Sequence, residues 1–235
     1  MNDLDRLRKE YEDRERRFNG NDLYSLSNSA YRFLKSQLKK DIHKLLKRHS
    51  ANVSWDTTRI LEVGCGNGNV LMDFHQLGVK QENLIGVDLL LTRLKKARQD
   101  YPLLKVTCAD GKYLPYSPGA FDMILQFTVF SSILDYKIKR SLALEMQRVL
   151  KKDGVILWYD FWWNPTNYQT HGIGLREIRS LFNGMHIRTQ KVTLAPPIAR
   201  RMVPLSPSFS IWLESLSILN SHYLALIKPA TKVSS

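Results

Sequence analysis

The feature that most constrains the fold is a glycine-rich segment at residues 59–74, RILEVGCGNGNVLMDF. A short apolar run ends just before Gly64, and Gly66 and Gly68 follow at alternate positions, ahead of residues typical of a helix. Glycine tolerates positive φ and allows a ligand to approach the backbone closely. The N-terminus of the following helix offers unpaired N–H donors. The segment therefore predicts a strand, a ligand-binding loop and a helix.

Strands and helices alternate along much of the chain. The sequence predicts strands over residues 59–63, 83–88, 105–109, 121–126, 155–161, 186–194 and 223–227. It predicts helices over residues 29–48, 68–77, 92–99, 138–150 and 175–182, with Thr92 as an N-cap and a turn at residues 151–154. Such alternation is typical of parallel βαβ units, and it predicts an α/β fold.

The chain divides into a helical N-terminal arm or cap over residues 1–50 and a larger unit over residues 51–235. Within this unit, residues 196–221 form an insertion that is too long for a hairpin loop. Its apolar residues predict one helix, Ser208 to Leu219, buried on more than one side and covering an acceptor pocket. A dimer contact or a shallow membrane-surface helix is the alternative.

Three acidic residues follow or end successive strands. Glu62 precedes the glycine loop, Asp88 ends the second strand, and Asp110 follows the third. Ligands of open α/β sheets bind at the carboxyl ends of the strands. A carboxylate at position 62 would repel a pyrophosphate but suits an ammonium or sulfonium group. Asp88 suits ribose hydroxyls, and Asp110 suits an adenine amino group.

Four segments, ILEVGCGNG, IGVDLL, CADGKYLPYSPGAFDMIL and VLKKDGVILWYDF, resemble successive motifs of class I S-adenosylmethionine-dependent methyltransferases. Within that class, the segments are most similar to the small-molecule methyltransferases related to the ubiquinone and menaquinone methyltransferases. The resemblance implies a Rossmann-like three-layer sandwich with a seven-stranded, mostly parallel sheet whose last strand is antiparallel. It implies S-adenosyl-L-methionine as cofactor and methyl transfer as the reaction. The cofactor-binding residues that it implies are Glu62, Gly64, Gly66, Gly68, Asp88, Leu89, Asp110, Gly111, Gln126 and Phe127.

The chain departs from many of these relatives because no histidine follows the fourth strand. The candidates for a general base are therefore Asp160, which ends the fifth strand, and His171 in the next loop. Arginine side chains can bind anionic groups, and aromatic side chains can stack on a sugar or a ring. The candidate acceptor-binding residues are therefore Trp162, Tyr168, Arg176, Arg200 and Arg201. No metal site is expected.

The net charge of +13 favours an anionic partner. We expect O-methylation of a small, anionic acceptor in natural-product or glycan biosynthesis. An RNA methyltransferase and a non-catalytic cofactor-binding protein are the alternatives, although no RNA-binding module is recognisable. Two cysteines, a charged N-terminus and the lack of a long apolar run favour a cytoplasmic monomer or homodimer, with peripheral membrane contact as an option.

Overall fold

A computed structural model describes residues 27–49, 54–164 and 170–230, together with Asp5, Arg6 and Lys9. The helices are α1 (Ser29–His49), α2 (Asn69–His75), α3 (Leu91–Asp100), α4 (Tyr136–Val149), α5 (Leu175–Leu181), α6 (Pro196–Met202) and α7 (Pro207–Ser215). The strands are β1 (Ile60–Val63), β2 (Leu84–Asp88), β3 (Lys105–Cys108), β4 (Phe121–Phe127), β5 (Leu150–Phe161), β6 (Met185–Leu194) and β7 (Asn220–Pro229). Short 3₁₀ turns include Phe130–Ser132 and Ser217–Leu219.

The seven strands form one sheet in the order β3-β2-β1-β4-β5-β7-β6. The first five strands are mutually parallel, and β7 runs antiparallel to both of its neighbours, β5 and β6. Strands β1 and β2 are buried at every residue, as expected when helices cover both faces of a parallel sheet. The predicted fold class is therefore confirmed.

Two apolar clusters lie on opposite faces of the sheet and make it the middle layer. One contains side chains from α4 and α5, including Met146 and Ile178. The other contains side chains from α1, α2 and α3, including Leu46, Phe74 and Leu94. Alternating residues of β1 contribute to the two clusters, because successive side chains of a strand point to opposite faces.

Two local predictions are wrong. Thr92 does not cap α3, because the helix begins one residue earlier and Asp88 Oδ1 accepts a hydrogen bond from Leu90 N at 2.8 Å. Residues 151–154 are not a turn either, since β5 already begins at Leu150, which pairs with Phe121 across a register shift.

The insertion between β6 and β7 also differs from the prediction. It contains two short helices, α6 and α7, because the second helix begins at Pro207 and ends where Leu216 leaves the helical region at ψ 92°. The Ser206 side chain caps α7 by accepting from Phe209 N at 3.2 Å. Burial on more than one side is wrong as well: Ser210 is buried, whereas Phe209, Ile211 and Trp212 are exposed.

Candidate cofactor and acceptor site

A cavity of about 1130 Å³ lies at the carboxyl ends of the parallel strands. Its walls come from the glycine loop, the ends of β2, β4 and β5, the start of β7, and one side each of α1 and α6. Ion pairs from Lys35 and Lys39 of α1 to Asp73 of α2, at 3.5 and 2.8 Å, hold α1 beside this edge. The cavity therefore lies where α/β sheets bind ligands.

The glycine loop is shaped by backbone conformations that favour glycine. Gly64, Gly66 and Gly68 have φ values of 73°, 51° and 77°. The N–H groups of Gly64 and Cys65 donate to Val87 O at 2.7 and 3.0 Å, which fixes the loop against β2. A Cβ at position 64 would overlap the Val129 side chain, so the close approach itself requires glycine there.

Asp88 connects the loop to the second strand and lines the cavity. Its Oδ2 accepts from Gly66 N at 2.8 Å, and its Oδ1 accepts from Leu90 N at 2.8 Å. The carboxylate has about four lone-pair positions, so acceptor capacity remains for ligand hydroxyls. Asp88 therefore braces the loop and faces the cavity at the same time.

Glu62 is buried in β1 behind the cavity wall. Among the described residues its Oε2 has no hydrogen-bond partner. Burial raises the pKa of Glu62 well above its usual range, and the negative charges of Asp88 and Asp73 raise it further. A buried carboxyl oxygen without a donor fits a cofactor that carries an ammonium group, so the residues present are compatible with S-adenosylmethionine.

The residues expected at the adenine edge all line the cavity: Leu89, Asp110 and Gly111. Asp110 accepts from Lys112 N at 3.0 Å and forms an ion pair with Lys112 Nζ at 3.3 Å. A Cβ on Gly111 would lie 2.7 Å from a Leu142 methyl group, so this wall leaves no room for a side chain.

After β4, Phe127 lines the cavity, with its ring centroid 5.5 Å from that of Tyr159. Gln126 is fully buried and does not line it. The Gln126 side chain donates to Tyr159 O at 3.4 Å and accepts from Val129 N at 3.2 Å. It supports the segment that follows β4. Gly66 and Gly68 likewise stand outside the set of lining residues.

Asp160, a candidate base, is buried and is not among the lining residues. Its Oδ2 accepts from Ser131 N at 3.1 Å and its Oδ1 accepts from Phe161 N at 2.8 Å. Burial raises the pKa of Asp160 to about 6. Both oxygens thus serve the backbone and brace the Phe130–Ser132 turn.

The other acceptor-side candidates are dispersed. His171 is exposed and lies outside the cavity lining, with its backbone N–H donating to Ser131 O at 2.8 Å. Trp162 Nε1 donates to Asn220 O at 2.7 Å, and Lys191 Nζ lies 3.7 Å from its ring centroid. Arg176 and Arg201 are exposed and do not line the cavity. Tyr168 lies outside the described residues.

Three polar residues of β6 and β7 that line the cavity beside Tyr159 were not predicted as site residues: Thr193, Ser221 and His222. His222 is buried, stacks on the Tyr159 ring at 4.5 Å and 3°, and pairs through Nδ1 with Ser221 Oγ at 2.9 Å. Burial lowers the pKa of His222 to about 3, so its imidazole is neutral near pH 7. The sequence signal was a lone histidine directly before the apolar run that predicts the seventh strand.

Of the three arginine candidates, Arg200 lines the cavity, whereas Arg176 and Arg201 do not. Five basic side chains line it: Lys35, Lys39, Arg93, Lys112 and Arg200. The three lysines form ion pairs with Asp73 or Asp110. For Arg200, the described residues provide no such acidic partner.

Comparisons with known proteins agree with this geometry. Residues 60–154 match the family model described as "Methyltransferase domain". A search of curated proteins found no match. The PH0226 protein of Pyrococcus horikoshii OT3 is similar in fold, with a TM-score of 0.64 and 15% identity over 91% of this chain and 98% of that chain.

Two further solved structures share the fold. One, named provisionally as a sarcosine dimethylglycine methyltransferase of Galdieria sulphuraria, has a TM-score of 0.61 and 18% identity over 82% of this chain and 86% of that one. The other is an S-adenosylmethionine-dependent methyltransferase of Archaeoglobus fulgidus. It has a TM-score of 0.55 and 16% identity over 80% of this chain and 93% of that chain. These likenesses support the fold.

The matched methyltransferase domain contains the glycine loop, Asp88 and Asp110, and the sheet has the seven strands and the antiparallel last strand that the resemblance implied. Residues 60–154 form a methyltransferase domain; the chain is an S-adenosylmethionine-dependent methyltransferase, and S-adenosylmethionine is its cofactor. Within the described residues, no helix is long and apolar enough to cross a membrane.

Proposed function

We propose that this methyltransferase acts on a hydroxyl oxygen of a small, anionic acceptor, and that His222 binds the reacting hydroxyl group. The resemblance of the cofactor-side motifs to the ubiquinone and menaquinone methyltransferases supports a small-molecule acceptor. The observation that carries the proposal is the neutral His222 imidazole in the wall of the cavity.

The hydrogen bonds around His222 determine which of its nitrogens can accept a proton. We assign the serine hydroxyl proton to the contact with Thr193 O, which lies 3.4 Å from Ser221 Oγ and can only accept. Ser221 Oγ then accepts from Nδ1–H of His222. The lone pair of the neutral ring is therefore on Nε2, which has no hydrogen-bond partner among the described residues.

This arrangement suits a hydroxyl acceptor. When bound, S-adenosylmethionine supplies an electrophilic methyl group. The His222 imidazole accepts the hydrogen bond of the acceptor hydroxyl and orients an oxygen lone pair, and its Nε2 takes the hydroxyl proton once the oxygen has bonded to the methyl group. The apolar walls around Phe127 and Phe161 exclude water. The low pKa keeps the ring in the accepting, neutral form across the physiological range.

Arg200 supports an anionic acceptor. A guanidinium in a cavity wall without an acidic partner can form a bidentate pair with a carboxylate or a phosphate. Because Arg200 lies on α6 and His222 lies at the start of β7, the two groups approach the cavity from opposite ends of the insertion. They would hold the acceptor at two points, its anionic group and its hydroxyl.

Incubation with methyl-labelled S-adenosylmethionine and a small-molecule extract of the source organism tests the proposal. We expect a labelled O-methyl product that mass spectrometry identifies as an anion. His222→Phe should lower kcat by about tenfold, because it removes the hydrogen bond that orients the acceptor hydroxyl, worth about 0.5–1.5 kcal/mol. It should leave S-adenosylhomocysteine affinity unchanged, because His222 belongs to the acceptor half.

His186→Gln is the matched control, because His186 is an exposed histidine on the edge strand β6. Arg200→Gln should raise KM for the acceptor more than it lowers kcat. Label on nitrogen or carbon would refute oxygen as the reacting atom. Label in RNA would refute the small-molecule acceptor. Full activity of His222→Phe would refute its role.

A further inference from the structure

The outer side of α7 and its flanking residues form an exposed apolar surface, the α7 patch. It consists of large apolar side chains that expose 39–79% of their surface: Leu205, Phe209, Ile211, Trp212, Leu216 and Ile218. The Phe209 and Trp212 rings stack with centroids 5.3 Å apart at 17°. Large apolar patches on a protein surface usually mark a binding site for a protein or a membrane.

The inner side of α7 is attached to the body of the protein, so the outward direction of the patch is fixed. Ser210 is fully buried, and its hydroxyl donates to Ser206 O at 2.9 Å. Leu213 packs against a small apolar cluster that includes Ala30 of α1, Leu194 of β6 and Val203. Rotation of α7 to bury Phe209 and Trp212 would break these contacts.

Basic side chains accompany the patch. Exposed Arg200 and Arg201 end α6, which leads directly into α7. On α1, the charges of Lys40 and Asp41 both act on Glu214 of α7, which places this part of α1 beside α7. Lys44 lies one turn further along α1 and is exposed. The acidic groups that interact here are Asp41 and Glu214, and both are partly buried.

The basic charge and the aromatic side chains of this region favour a lipid surface over a second copy of the chain as the binding partner of the α7 patch. A two-fold contact through the patch would bring the basic side chains of two copies, each of net charge +13, towards one another. Anionic lipid headgroups would neutralise the same side chains. Tryptophan and phenylalanine are typical of helices that lie in the membrane interface.

We propose that the α7 patch binds the interface of an anionic lipid bilayer, with Phe209 and Trp212 among the acyl chains and Arg201 and Lys44 at the headgroups. Helix α6 lines the cavity and joins α7 through residues 203–206. Binding therefore holds the acceptor half of the cavity close to the lipid surface. This inference is independent of the atom that is methylated.

Vesicle co-sedimentation of the whole chain tests the inference. We expect binding to phosphatidylcholine vesicles that contain phosphatidylglycerol, weaker binding to phosphatidylcholine alone, and weakening by salt. The double variant F209Q/W212Q should bind about tenfold or more weakly. Leu103→Gln is the matched control, because Leu103 is 75% exposed and lies in the loop between α3 and β3, away from the patch.

A second pair of variants tests the charge. Arg201→Glu should weaken binding to the anionic vesicles, whereas Arg140→Glu on α4 should not, because α4 packs on the opposite face of the sheet from α1. No binding to anionic vesicles, or equal binding by F209Q/W212Q, would overturn the inference. So would a dimer in light scattering that F209Q/W212Q converts to a monomer, since the patch would then join two copies.

Discussion

At the scale of single residues, the Asp88 carboxylate connects the shape of the glycine loop to the wall of the cavity. Its two oxygens hold Gly66 and Leu90 in place, and the same group lines the cavity. The asparagine side chain has nearly the same shape but lacks the charge and one acceptor oxygen. Substitution by asparagine therefore tests the charge with less disturbance of the loop than alanine would cause.

We expect Asp88→Asn to weaken S-adenosylhomocysteine binding by about 10–100-fold, because hydrogen bonds to a charged group contribute about 1.5–3 kcal/mol. Isothermal calorimetry measures the affinity. Asp100→Asn serves as the control, since Asp100 is exposed at the end of α3. Unchanged affinity in Asp88→Asn would contradict the assignment of Asp88 to the cofactor.

Asp160 gives a prediction about stability and pH. Burial raises its pKa to about 6, whereas an unfolded aspartate titrates near about 3.9. Between about pH 4 and 6 the folded chain keeps a proton that the unfolded chain has released, so this carboxyl lowers the free energy of unfolding as pH rises. Above that window both states are ionised, and its contribution is constant.

Asp160→Asn removes this titration. The difference in unfolding free energy between the native chain and the variant should therefore fall from pH 4 to 6, by at most about 1.4 kcal/mol per pH unit. Urea titrations at several pH values measure it. Parallel pH profiles for the two proteins would show that Asp160 titrates normally in the folded state.

At the scale of elements, the insertion depends on a cap that the sequence only partly indicated. Ser206 accepts from Phe209 N and starts α7. Ser206→Ala should lower the free energy of unfolding by about 1 kcal/mol, whereas Ser206→Asp should retain the cap. Urea denaturation compares the three proteins. Equal stability of the alanine variant would mean that packing alone fixes the start of the helix.

Most elements could be predicted from the sequence because their signals are local. The apolar run before Gly64 and the glycines after it specify a strand, a loop and a helix within about twenty residues. The single helix predicted from Ser208 to Leu219 was wrong, because an apolar pattern does not show that Leu216 leaves the helical region. Its outward-facing aromatic side chains were unexpected because apolar periodicity suggests burial.

The sequence also predicts the cofactor half of the cavity better than the half that would hold the acceptor. Asp88 and Asp110 stand at strand ends whose order is evident from the sequence, so their placement in the cavity wall could be anticipated. Thr193 and Ser221 meet because β6 and β7 pair across the insertion, and no local spacing indicates that pairing. A lone histidine in an apolar strand is usually a core residue, so its chemistry became evident only from the fold.

At the scale of the whole molecule, cofactor binding is coupled to folding. A ligand at about 100 times its Kd adds about 2.7 kcal/mol to the free energy of unfolding. For a chain of this length that corresponds to a rise in Tm of about 5–10 °C. We expect this rise with S-adenosylhomocysteine in a thermal melt. We expect none with NAD⁺, whose pyrophosphate would meet the Asp88 carboxylate. A comparable rise with NAD⁺ would contradict the cofactor assignment.

The position of β7 in the sheet has a consequence for synthesis on the ribosome. Strand β7 lies between β5 and β6, although it follows both in the chain. Until it emerges, β6 has no partner in the sheet and the edge of β5 is open, which is the situation that makes nascent chains prone to misassembly. His222 and Ser221 arrive on the same strand. A nascent chain can thus form its glycine loop early. The part of the cavity wall that contains Ser221 and His222 forms only after β7 has been synthesised.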